Sequence, residues 1–160
     1  FFRGTTTFIV YTDDGIIFDP ENAKIDRLIE DMKEIFDVQD EGNLEDYLGV
    51  QIKHHDNGTF ELTQPHLIDS ILKDLNPWEY RSLIGKLNFL EKSTRCDISF
   101  PTHQCARFMS NPRQSHGMAI KRIGRYLLKT RTKGLLIRPD KKASFECYVD
   151  ASFLGDWDER

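Results

Sequence analysis

Three cysteines are all that this 160-residue sequence contains, and Cys96, Cys105 and Cys147 form no CxxC pair and have no histidine at finger-like spacing. That argues against a zinc centre and leaves them as reduced thiols of an intracellular protein. No apolar run approaches the roughly 18–20 residues that a membrane span needs, so no membrane partner is expected. Phe1-Phe2-Arg3-Gly4 offers neither an initiator Met nor a signal-peptide pattern and reads as the start of a chain taken from something longer. Internal repeats and low-complexity tracts are missing as well. With 39% hydrophobic and 30% charged residues, the composition excludes a disordered or fibrous chain and suits one domain or two incomplete ones.

The formal net charge of −4 conceals a polarity along the chain. Residues 19–46 carry 11 Asp/Glu against 3 Lys/Arg, a net of −8, whereas residues 113–142 carry 10 Lys/Arg against one Asp, a net of +9. A basic tract this dense can hold a polyanion or can be a solvated helix face.

Residues 5–18, TTTFIVYTDDGIIF, are two β-rich runs separated by Asp13-Asp14-Gly15, a hairpin signal that places two acids at the tip. Asp19-Pro20 then predicts a cap and first turn for a helix whose inner face is Ile25, Leu28, Ile29, Met32, Ile35 and Phe36. A second hairpin is expected from Tyr47–Ile52 and Thr59–Thr63, joined through Asp56-Asn57-Gly58. From Pro65 the pattern turns helical, with apolar faces Leu67-Ile68-Ile71-Leu72-Leu75 and Tyr80-Leu83-Ile84-Leu87-Leu90. Asp97 can cap a further helix ending near Asn111-Pro112, inside which Pro101 predicts a kink. Residues 115–129 give the last helix, Ile120, Ile123 and Leu127 inward, with Lys121, Arg125 and Lys129 at i, i+4, i+8 on its outer face as the phosphate-contacting stripe. Strands are expected again at residues 134–138 and 144–149, so the fold class is α+β.

Adjacent carboxylates at a hairpin tip repel one another unless a cation sits beside them, and hard oxygen donors suit magnesium. An Asp-Asp-Gly tripeptide alone is most often an ordinary turn. Its setting is more specific: Tyr11-Thr12-Asp13-Asp14, between Phe8-Ile9-Val10 and Ile16-Ile17-Phe18, resembles the YxDD motif of reverse transcriptases. Asp46–Ile52 is similar to the hairpin that follows the palm helix in that family. Tyr80–Leu87, Arg95–Phe100, His103–Pro112 and Lys121–Leu127 resemble blocks of copia-type retrotransposon elements in particular.

The resemblance implies a C-terminal part of a polymerase palm over 1–64, a helical thumb or connection over 65–130, and the beginning of a ribonuclease H-like domain over 131–160. It implies Asp13 and Asp14 as catalytic, metal-binding carboxylates for magnesium or manganese, Tyr11 near the primer terminus, and Leu48-Gly49 in a primer grip. Asp150, in Tyr148-Val149-Asp150-Ala151-Ser152, takes the place of the first ribonuclease H acid, with an ordinary strand-end Asp as the alternative. The implied partners are an RNA template, a DNA primer, their hybrid, and other parts of a Pol polyprotein, in the cytoplasmic virus-like particle of a functional element. Three features depart from the family: Asn76-Pro77-Trp78-Glu79 replaces a longer variable stretch, Pro101 sits inside a helix, and Gly15 stands where a bulkier residue is common. A further catalytic Asp is expected upstream of this chain, so the isolated polypeptide is expected to be inactive and either a nucleic-acid-binding module or a relic. His54, His55, His103 and His116 have no partner at ligand spacing and receive no catalytic role.

Overall fold

The computed structural model describes residues 1–75 and 79–140 and is α+β, with five α-helices and two antiparallel sheets among the described residues. The expected strand at 144–149 and Asp150 lie outside the described residues, as do Asn76, Pro77 and Trp78.

The first sheet has the order β1 (Phe2–Arg3), β2 (Thr6–Tyr11), β3 (Asp14–Phe18). Helix α1 spans Asn22–Lys33 and starts later than Asp19-Pro20 suggests, with Glu21 as its N-cap. Asp19 is engaged elsewhere: its carboxylate accepts from Thr5 Oγ1 (2.7 Å), Thr6 Oγ1 (2.9 Å) and the backbone N–H of Glu21 (2.8 Å). An aspartate that bonds its own backbone two residues on forms a turn rather than a helix start. The helix also stops before Ile35 and Phe36, which are 76% and 62% exposed and do not join its inner face.

The second sheet runs β4 (Asp46–Tyr47), β5 (Val50–His54), β6 (Phe60–Thr63), β7 (Leu135–Ile137). Tyr47–Ile52 is therefore not one strand; a two-residue turn at Leu48-Gly49 divides it. The Asp56-Asn57-Gly58 turn joins β5 to β6 as expected, with Asn57 Oδ1 accepting from the Thr59 N–H at 3.0 Å. Leu135–Ile137 close this sheet by pairing with β6.

Between β6 and β7 lie α2 (Pro65–Asp74), α3 (Tyr80–Ser93), α4 (Ser99–Ala106) and α5 (Gln114–Lys129). Pro65 opens α2, where a missing N–H costs nothing. Pro101 is accommodated in the same way, without the expected kink. A 3-10 turn at Cys96–Ile98 delays the start of α4 to Ser99, so Pro101 falls in the first turn, where backbone N–H groups have no intrahelical acceptor. Asp97 does not cap that helix, whose N-cap is Ile98 with no side-chain bond.

Among the described residues, the buried apolar ones all belong to these four helices and the 3-10 turn, from Ile68 to Leu127. No apolar side chain before Ile68 is buried. Area removed from water drives folding, so the helical unit supplies the core and the first sheet and α1 contribute little to it.

Two carboxylates brace this unit. Glu91 on α3, 5% exposed, accepts from Ser99 Oγ and lies 3.0 Å from His103 Nε2, and these contacts, Ser99 foremost, hold its carboxyl below the usual range. Asp97 is held low chiefly by Arg95. Groups with depressed folded pKa values add stability that is complete above their ordinary values of 4.5 and 3.8 and is lost as pH falls through the lower folded values. Melting temperature is thus expected to fall with acidification below about pH 4.5, and Glu91→Gln with Asp97→Asn should flatten that dependence. An unchanged slope in the double variant would remove both groups from the effect.

Candidate functional site

The β2–β3 hairpin is registered with Tyr11 opposite Asp14, Val10 opposite Gly15 and Ile9 opposite Ile16. The two-residue tip is therefore Thr12-Asp13, one step earlier than the Asp-Gly signal indicates, and Asp14 and Gly15 are strand residues. Thr12 adopts φ 54°, in the left-handed region that a β-branched side chain rarely enters. Gly15 is selected by packing and not by the turn, since a Cβ there would meet the Phe8 ring at 2.7 Å. Tyr11, Asp13 and Asp14 are all exposed, close together at this tip.

The second hairpin tip repeats the device. Tyr47 pairs with Val50 across Leu48 (φ 51°) and Gly49 (φ 76°), two successive left-handed residues as a type I′ turn requires. Thr12 and Leu48 are the only non-glycine residues at positive φ among the described residues. Such conformations cost on the order of 1–3 kcal/mol and concentrate at functional sites. Thr12→Gly should relieve the strain, slowing amide exchange at Ile9 and Ile16, a hydrogen-bonded pair of the hairpin, by about fivefold, the equivalent of ~1 kcal/mol of hairpin stability. Faster exchange would mean that Thr12 is not strained.

Asp13 and Asp14 provide hard oxygen donors of the kind magnesium or manganese takes. Two carboxylates are fewer than a two-ion site uses, and among the described residues no third His, Cys, Asp or Glu joins them. They fit part of such a site.

The expected basic stripe is formed: Lys121, Arg125 and Lys129 are exposed along α5, whose other face buries Ile120, Ile123, Gly124 and Leu127. None of the three, nor the neighbouring Arg122, makes an ion pair among the described residues. The Tyr11-Asp13-Asp14 tip, the Leu48-Gly49 turn and this stripe lie on three different units, and no hydrogen bond among the described residues joins them.

A clip at the end of α5 went unnoticed in the sequence. Arg95, 2% exposed, donates from Nε to Asp97 Oδ1 (2.9 Å) and from Nη2 to Asp97 Oδ2 (2.9 Å). It also donates to the Thr130 carbonyl (3.0 Å) and Thr130 Oγ1 (2.7 Å), while Tyr126 donates to Asp97 Oδ2 at 2.7 Å. These bonds anchor the C-terminal end of α5 to the 3-10 turn. The signal available was the Arg95-Cys96-Asp97 spacing, which let two charges meet through one 3-10 turn.

A protein of Saccharomyces cerevisiae named for transposon Ty5-1 is 30% identical over 185 residues, covering 95% of this chain and 59% of that protein. The retrovirus-related Pol polyproteins from transposons RE1 and RE2 of Arabidopsis thaliana are 26% and 27% identical, covering 94% and 98% of this chain but 12% of each polyprotein. Over about 95% of its length the chain is similar to retrotransposon Pol polyproteins. It spans about three-fifths of the yeast relative and about one-eighth of the Pol polyproteins. No family model matches it, and no solved structure does. The alignment with the yeast protein extends over 185 residues against 160 here, so that relative has at least 25 residues with no counterpart in this chain.

Proposed function

We propose that this chain is the C-terminal palm and thumb portion of a copia-type reverse transcriptase, an RNA-directed DNA polymerase, and that its own contribution is to hold template and primer. The observation that carries this reading is the coincidence of strain with motif. The only two non-glycine residues at positive φ among the described residues are Thr12, inside Tyr11-Thr12-Asp13-Asp14, and Leu48, inside the primer-grip-like turn. A fold that had no use for those tips could relieve them with glycine.

In this reading Asp13 and Asp14 hold magnesium or manganese together with a carboxylate from another segment of the polyprotein, and Tyr11 faces the primer terminus. The bound ions would activate the primer hydroxyl and neutralise the leaving pyrophosphate. Gly49, with no side chain, lets the turn approach the primer backbone, and Leu48, exposed beside it, packs against the primer sugar. Lys121, Arg125 and Lys129, exposed and without ion pairs among the described residues, neutralise phosphates of the RNA–DNA hybrid. Asp150 would open a ribonuclease H site on the same principle of paired carboxylates.

The exposed basic stripe on α5 supports a second reading equally, a nucleic-acid-binding module without chemistry. Both are tested with the purified chain on poly(rA)/oligo(dT). Binding is expected, weakening with salt, and neutralising Lys121, Arg125 and Lys129 should lower the log–log salt slope by about 0.9 for each phosphate that a side chain no longer neutralises. Absence of binding, or a slope indifferent to the three substitutions, defeats both readings. Incorporation of dTTP that disappears in Asp13→Asn/Asp14→Asn selects the polymerase; binding without incorporation selects the module.

A further inference from the structure

Two surfaces of this chain are apolar at the centre, charged at the edge, and opposite in sign. The first is a groove of about 780 Å³ between α4 and α5. Pro101, Met118 and Ile123 line it, Met118 being 60% exposed, and Arg122 and Arg125 border it. Neither arginine makes an ion pair among the described residues, and the acid that lines the groove, Asp97, is already matched by Arg95 and Tyr126.

The second surface is the end of α1 and the turn that follows. Ile35 and Phe36 stand out into solvent, and Glu30, Glu34 and Asp37 around them make no ion pair among the described residues. Within one copy no residue of α1 or of the turn after it lines the groove. Helix α1 is tethered to the first sheet, by Asp31 to Arg3 at 3.6 Å and by Lys24 to Thr5 Oγ1 at 3.2 Å.

We propose that the α4/α5 groove receives the end of α1 from a second copy of this chain. Ile35 and Phe36 enter against Pro101, Met118 and Ile123, while Glu30, Glu34 and Asp37 face Arg122 and Arg125. Each copy owns one surface of each kind, so reciprocal exchange in a two-fold dimer satisfies both at once. The tracts that carry the two surfaces have net charges of −8 (residues 19–46) and +9 (residues 113–142), a match that steers encounter as well as register. Arg125 belongs to both this groove and the basic stripe, so dimer formation and nucleic-acid binding compete for it.

Sedimentation equilibrium of the full chain, freed of nucleic acid as judged by its absorbance ratio, tests the proposal. A dimer is expected at low salt, with dissociation strengthened about tenfold or more near 0.5 M salt, where screening falls within a few ångströms. Arg122→Glu/Arg125→Glu and Glu30→Lys/Glu34→Lys should each be monomeric alone. Mixed together they should form a 1:1 heterodimer, because each reversed surface then meets a reversed partner. That mixture also shows that both variants fold. A wild-type chain that stays monomeric at every salt concentration overturns the proposal, as does a dimer that survives either reversal or a mixture that fails to associate. A groove that binds oligonucleotide while the chain remains monomeric assigns it to nucleic acid and overturns the dimer.

Discussion

Arg95→Met is expected to destabilise the chain by about 3 kcal/mol, read as a lowered urea midpoint with an unchanged m-value. The guanidinium is almost wholly buried and its hydrogen bonds reach Asp97, the Thr130 carbonyl and Thr130 Oγ1. Methionine fills much of the same volume but deprives Asp97 of both guanidinium donors, leaving it Tyr126, and deprives the Thr130 carbonyl of its donor, and the cost of an orphaned partner exceeds that of the bond itself. The figure sits at the lower end of what breaking a buried pair costs, because the Asp97 side chain is 37% exposed and water can take over part of its solvation. Tyr126→Phe removes a single donor to Asp97 and should cost about 1 kcal/mol. A loss below ~1 kcal/mol for Arg95→Met would mean that the clip orients α5 without stabilising it.

Leu87→Ala should cost roughly 3–4 kcal/mol, since Leu87 is fully buried and its removal leaves a cavity that neighbouring helices can close only in part. Leu87 lies one turn from Leu83, Ile84 and Leu90 on the buried face of α3, and α3 packs on both α2 and α4. The contrast with the first sheet is the informative measurement. Ile9 is 48% exposed, and Ile9→Ala should change the midpoint by less than ~1 kcal/mol. Equal losses at the two positions would show that the first sheet shares the helical core after all.

How much of this was legible beforehand depends on the range over which each feature is decided. The helices α2, α3 and α5 follow from apolar spacing, because a 3.6-residue period against a single core leaves one solution, and Ile120, Ile123 and Leu127 are buried where the period puts them. The exposed stripe Lys121-Arg125-Lys129 follows from the same period read on the other side. Element ends were less legible. Asp19 and Asp97 both carry the chemistry of a helix cap, yet Asp19 is captured by Thr5 and Thr6 from the strand before it and Asp97 by Arg95 and Tyr126. A local preference worth about 1 kcal/mol yields to several bonds made over distance.

The hairpin tips show the same division. The sequence places two acids at a turn, and Asp13 and Asp14 are there, but cross-strand register decides that Thr12-Asp13 is the tip and that Gly15 serves to clear the Phe8 ring. Nothing local in Tyr47–Ile52 announces that the chain reverses at Leu48-Gly49. What the sequence by itself determined is the α+β order, the helical faces, the polarity of charge and the similarity to retrotransposon Pol polyproteins, since all are carried by residue type and spacing. What only the tertiary structure decided is which capping acids cap, where the two strained turns fall, how Pro101 escapes a kink, and that β7 returns to β6 across four intervening helices. Those outcomes depend on partners distant in the chain, and spacing along one strand or helix carries no information about them.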